Sequence, residues 1–99
     1  MTYVIFEVKS EEIGKINKVI KDDLVSRQSI LTRDSNSLNL KGEFSYLKVE
    51  GSDAGIKRAE ELAKEHGLKK LNEKKAKEVN DKIAKQEDSA ATGMGMIFD

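Results

Sequence analysis

The sequence predicts an α+β fold, a two-layer sandwich with helices on one face of a mainly antiparallel sheet of three to four strands. The order is β-α-β-β(-β)-α plus a C-terminal helix. Two periodicities predict it. Residue character alternates over 2–9 and 44–50, the period of a strand with two distinct faces. Apolar residues recur three and four apart over 11–23 and 53–66, the period of an amphipathic helix. Length is the third observation: 99 residues suffice for one modest core and fall short of two.

Thr2 to Lys9 is β-branched and aromatic, with Val4, Phe6 and Val8 on one face and Tyr3, Ile5 and Glu7 on the other. Ser10 offers a side-chain oxygen to cap a first helix over about 11–23, whose opening acids Glu11 and Glu12 suit the helix dipole. Ile13, Ile16, Val19 or Ile20, and Leu24 form its apolar stripe, expected to lie on Val4, Phe6 and Val8. Val25 to Asp34 reads as extended, and Asp34-Ser35-Asn36-Ser37 as a turn, because these short polar side chains bond to nearby backbone. Leu38 and Leu40 alternate with Asn39, Lys41-Gly42-Glu43 reverses the chain again, and Phe44 to Glu50 forms a strand. Ser52 or Asp53 caps a second helix with Ile56, Ala59, Leu62 and Ala63 on one face, closed by His66-Gly67. After the short link Leu68 to Leu71, Asn72 caps a third helix with a narrow stripe of Ala76, Val79, Ile83 and Ala84. The expected organisation is an α+β core over 1–71, a docked helix over 72–88 and a flexible tail over 89–99.

Composition narrows the function classes. No cysteine is present, which removes disulfides, thiolate nucleophiles and Cys-based metal sites and suits a reducing, cytoplasmic setting. Eighteen basic against 18 acidic residues leave no net charge to draw a polyanion. No stretch approaches the ~20 apolar residues of a membrane span, and the start lacks the pattern of a secretory signal.

Candidate chemistry is sparse. Asp34-Ser35-Asn36 resembles the opening of a calcium loop, yet Leu38, Asn39 and Ser45 stand where such a loop needs an oxygen ligand, a glycine and a glutamate. Asp22 and Asp23 could gather with Asp34 or Asp53 around a cation; the plainer reading is a solvated helix end. His66 suits the carbonyls at a helix end better than catalysis, since no nucleophile or orienting partner accompanies it. Gly51 to Gly55 opens a helix without any phosphate-binding spacing. No catalytic residue, metal or cofactor is implied. The remaining constellation is the sheet face of Tyr3, Ile5, Phe44, Tyr46 and Lys48, with Arg27 and Leu31 nearby. Left open, it would make a stacking platform for single-stranded bases. Otherwise the third helix, the tail or a second protomer covers it.

The run Leu47-Lys48-Val49-Glu50-Gly51-Ser52-Asp53-Ala54-Gly55-Ile56-Lys57-Arg58-Ala59-Glu60-Glu61-Leu62-Ala63 resembles the last strand and closing helix of KH-type RNA-binding domains. The likeness covers under a fifth of the chain. Those domains clamp nucleic acid with a Gly-x-x-Gly loop, and Glu12-Ile13-Gly14-Lys15-Ile16-Asn17 supplies only one glycine, so no site residue carries over. The resemblance implies at most a degenerate KH-like or ferredoxin-like module, with the flavour of a small archaeal protein. The leading expectation is a non-enzymatic module that binds protein or its own copy through the outer sheet face, the C-terminal helix and the tail residues Met94, Met96 and Phe98. The alternative is RNA or single-strand binding by Tyr3, Phe44, Tyr46, Lys48 and Arg27, extended by Lys57 and Arg58. No membrane or small-molecule cofactor is implied.

Overall fold

The computed structural model describes the backbone of residues 2–98 and the side chains of residues 2–86. Strands β1 (Thr2–Lys9), β2 (Ser29–Asp34), β3 (Phe44–Gly51) and β4 (Lys69–Lys70) form one antiparallel sheet in the order β2-β3-β1-β4. Helices α1 (Gly14–Ile20) and α2 (Asp23–Ser26) join β1 to β2, α3 (Asp53–His66) joins β3 to β4, and α4 (Glu73–Phe98) follows. The fold is α+β, as the two periodicities require. Among the described residues no helix is long and apolar enough to cross a membrane.

Register explains the layering. Val4 lies opposite Val49 and Phe6 opposite Leu47, and cross-strand partners share a face, so these four form one apolar surface. Ile16 and Val19 of α1, Val25 of α2, and Ile56, Ala59 and Leu62 of α3 pack on it as the main core. Each large side chain fully buried there contributes about 1.5–3 kcal/mol. The opposite face carries Ile5 and Tyr46, and α4 covers it with Ala76, Val79 and Ile83 to make a second, smaller core.

The first helix departs from expectation. The 11–23 span is a short 3-10 turn, Ser10–Glu12, then α1, then α2. The break falls at Asp22, whose backbone is extended and whose carboxylate accepts from the Leu24 and Val25 N–H groups. An aspartate positioned that way starts a helix rather than ending one. Extended structure therefore begins at Ser29, not Val25, and Ile13 and Leu24 leave the buried stripe, 53% and 38% exposed. Ser10 does not cap with its side chain; its backbone N–H donates to Glu43 O at 2.9 Å.

No strand forms at 38–40. Residues 35–43 instead fold around buried Ser35, whose N–H donates to Phe44 O and whose Oγ donates to Gly42 O at 2.6 Å and accepts from Phe44 N–H. Leu38 is thereby turned inward beneath α4. The remaining strand is β4, in the Leu68–Leu71 link. Leu68 belongs to the main core and Leu71 to the second, so this link carries the chain around the sheet edge from one face to the other. α4 is one helix, Glu73–Phe98, where the sequence places a helix over 72–88 and then a tail. Side chains from 87 onward, Met94, Met96 and Phe98 included, lie outside the described residues.

The caps of α3 match the sequence reading. Ser52 Oγ accepts from Gly55 N–H at 3.1 Å, and Gly67 ends the helix at φ 81°, a conformation that glycine adopts without Cβ strain. Gly55 answers a tighter demand. The Gln28 side chain lies against it, donating to Leu24 O and accepting from Ser52 N–H, both at 3.0 Å, and so ties α2 to the start of α3. A Cβ on Gly55 would fall 2.3 Å from Gln28 Cδ.

Two outcomes follow for stability. Gly55→Ala should destabilise the wild type by about 1 kcal/mol in urea unfolding, because it displaces Gln28 from its hydrogen bonds. In a Gln28→Ala background the same change should stabilise by about 0.5 kcal/mol through helix propensity, a reversal of sign. The second outcome concerns Asp22, which also meets Arg58 Nε at 3.2 Å. Desolvation raises its pKa, but hydrogen bonds from Val25, Arg58 and Leu24 outweigh that and hold it below the ordinary 3.8. A depressed carboxylate stabilises the fold above its unfolded value and loses that contribution as pH falls through the folded one. The advantage of wild type over Asp22→Asn should therefore be full above about pH 5 and fade below about pH 4, in unfolding curves recorded across that range.

Candidate groove at the open edge of the sheet

Among the described residues, those expected to form an interaction surface fall into two groups, one on the sheet and one in the helical layer. Tyr3, Ile5, Phe44, Tyr46 and Lys48 share one sheet face, but Ile5 is 0% and Tyr46 2% exposed, and Tyr3, Leu31 and Phe44 are partly buried around them. The covering element is α4, so this face is no open platform for bases. Lys48 Nζ sits 5.2 Å from the Tyr3 ring centroid and 3.9 Å from Glu50 Oε1. Arg27 lies at the C-terminal cap of α2 and pairs with Asp23 at 3.2 Å, in the helical layer rather than on the aromatic face. Lys57 and Arg58 belong to α3, also in that layer, and Arg58 is engaged by Asp22 and Glu61.

The acidic residues are likewise occupied locally. Asp34 accepts from Ser37 N–H at 2.7 Å and Asp53 from Thr2 Oγ1 at 3.2 Å. Among the described residues no three His, Asp or Glu side chains gather where they could hold a metal ion. His66 ends α3 in front of Gly67.

What the structure builds instead is a groove beside β1. β4 pairs only with Phe6 and Glu7, and the Leu71 N–H adds one bond to Ile5 O at 3.0 Å. Asn72 then turns the chain into α4, its Oδ1 accepting from Lys75 N–H at 2.8 Å. In an antiparallel strand, alternate residues direct N–H and C=O to the same edge. Since Ile5 faces β4, Tyr3 directs its N–H and C=O to that edge too, beyond the last residue of the β4 row. Among the described residues no strand covers this edge along Thr2–Val4, which is recessed between α3 and α4.

The cavity there measures about 900 Å³. Val4, Ile56 and Leu71 give it an apolar floor, and Ala76 and Asn80 form the α4 wall. Asn80 Oδ1 is buried without a hydrogen-bond partner. The rim carries both signs of charge: the Lys70–Glu60 pair at 2.9 Å on one side, Lys77 and Asp81 on the other. This arrangement offers backbone hydrogen bonds, an apolar floor and little net charge, which is the equipment of recognition. Sequence reading missed the groove because a two-residue strand has no periodicity to detect. The available signal was Leu68 and Leu71, three apart between the caps Gly67 and Asn72; in a short extended link they must face opposite layers.

Burial of the former platform has a spectroscopic consequence. Burial, with the Glu7 and then the Glu78 carboxylate adding to it, pushes the Tyr46 phenol from its ordinary 10.0 up to about 12. A phenol raised in the folded state stabilises the fold below its unfolded value, and that contribution is lost as pH rises from 10 towards 12. In an ultraviolet pH titration one tyrosine should ionise near pH 12, and Val79→Asp, which undocks α4, should return it towards 10.

No protein-family model, no curated protein and no solved structure matches this chain. What it does is therefore read from its own geometry.

Proposed function

We propose that the chain is a non-catalytic interaction module that binds another polypeptide in the groove along β1. One observation carries this reading: the Thr2–Val4 edge is left without a strand partner, inside a recess with an apolar floor. A bare sheet edge invites pairing and is ordinarily blunted or covered. Here β4 is blunted by exposed Lys69 and Lys70, while the stretch beyond it is not. The balanced charge of 18 basic and 18 acidic residues favours a polypeptide over a polyanion. Burial of Tyr46 and Ile5 under α4 favours this reading over a stacking surface for RNA bases. The β-α-β-β-α-β order supports a ferredoxin-like kinship, and the cysteine-free composition supports a cytoplasmic setting.

The native chain lacks cysteine, so single cysteines can carry a photocrosslinker without background. From Asp81→Cys at the groove rim, crosslinked adducts from cell extract should be protease-sensitive and nuclease-resistant. They should exceed those from Lys18→Cys on the exposed face of α1. Equal yields from both positions, or nuclease-sensitive adducts, would overturn the proposal.

A further inference from the structure

Resting on that reading, we infer that the partner enters as an extended segment that adds antiparallel to the edge of β1, prolonging the row that β4 begins. Its side chains are apolar and β-branched towards α3, alternating with small ones towards α4.

The backbone dictates the extended form. Tyr3 presents an N–H and a C=O at strand spacing, two residues beyond the Ile5 carbonyl that already accepts from Leu71. Only another strand, ~4.8 Å away, satisfies such a pair in register. A helix is 10–12 Å across and has its backbone groups turned inward, so it would leave both unmet. The recessed setting also disfavours a second copy as the occupant. The edge lies recessed between α3 and α4, and the same two helices on a second protomer would meet them before the edges came within bonding distance. A single extended chain is thin enough to enter.

The walls dictate the side chains. Residues paired across two strands project to the same face. Whatever pairs with Tyr3 therefore points towards α4, where Ala76 leaves room. A small side chain, such as serine or threonine, fits there. Its neighbour, opposite Val4, points towards α3 and meets Ile56. Valine or isoleucine fits that position. With both charge signs at the rim, the segment needs no charge of its own.

The probe is a blocked peptide, acetyl-Val-Thr-Val-Thr-Val-amide, titrated to millimolar concentration into the 15N-labelled 99-residue chain. Two further versions carry N-methyl groups on the threonines or on the outer two valines. Threonine N–H groups face the β1 edge in this register, one of them at Tyr3, and valine N–H groups face away. Threonine methylation should therefore weaken binding about tenfold, as expected for lost edge hydrogen bonds, while valine methylation leaves it nearly unchanged. Shifts should centre on Tyr3, Val4 and Asn80, and hydrogen exchange at the Tyr3 amide should slow on binding. Tyr3→Pro, which removes the edge N–H at a position where proline is tolerated, should abolish binding, whereas Tyr3→Val should retain it. If Tyr3→Pro does not fold, the methylated peptides decide alone. Shifts in the groove with equal affinity for all three peptides would overturn strand addition and leave the groove as a binding site. Absence of shifts at Tyr3 and Asn80 would overturn both. Protein-concentration-dependent shifts there, with the correlation time of a dimer, would assign the edge to a second copy and overturn the peptide.

Discussion

β1, paired with β3 on one side and β4 on the other, contributes side chains to both cores, and the rest of the molecule is arranged around that demand. Val4, Phe6 and Val8 project into the main core and Ile5 into the second, while its backbone pairs with β3 along its whole length. A strand buried on both faces carries apolar residues at consecutive positions, and Val4-Ile5-Phe6 at the centre of β1 is buried throughout. One layer of helices cannot satisfy it. α1, α2 and α3 close one side, and α4 must reach the other.

Reaching it requires the chain to pass around an edge of the sheet, and β4 is the passage. Leu68 is still in the main core and Leu71 is already in the second, with only Lys69 and Lys70 paired between them. A longer β4 would cover more of β1 but would carry the start of α4 away from Ile5 and Tyr46. The open edge at Thr2–Val4 is thus a geometric consequence of placing helices on both faces with a short crossing. Its recessed setting between α3 and α4 separates it from an ordinary exposed edge, which would invite pairing with any other sheet.

The helical layer is held by polar contacts as well as apolar ones. Asp22 caps α2 and meets Arg58 of α3; Gln28 bridges Leu24 O and Ser52 N–H. Both link the α2 region to the first half of α3, the half that also supplies Ile56 to the groove. Gly55 lacks a side chain because Gln28 lies where its Cβ would be. The glycine that contributes to the KH-type likeness in the sequence therefore has a packing role in this fold.

Sequence alone determined those elements whose signals are local. The alternation in β1 and β3, the stripe and both caps of α3, the Asn72 cap and the apolar stripe that seats α4 depend on residues a few positions apart. The aromatic face was also legible as a face, with the third helix among the covers the sequence offered, and α4 is that cover. Tertiary structure decided what depends on partners far along the chain. Asp22 caps α2 through its own local backbone, but its tie to Arg58, 36 residues on, exists only in the folded chain. Leu38 turns inward because α4 lies over it, and Tyr46 is buried for the same reason. The groove exists only where β1, α3 and the start of α4 meet. Periodicity reports which side of an element is apolar, but which element covers that side, and which backbone edge is left bare, follow from the path of the chain through space.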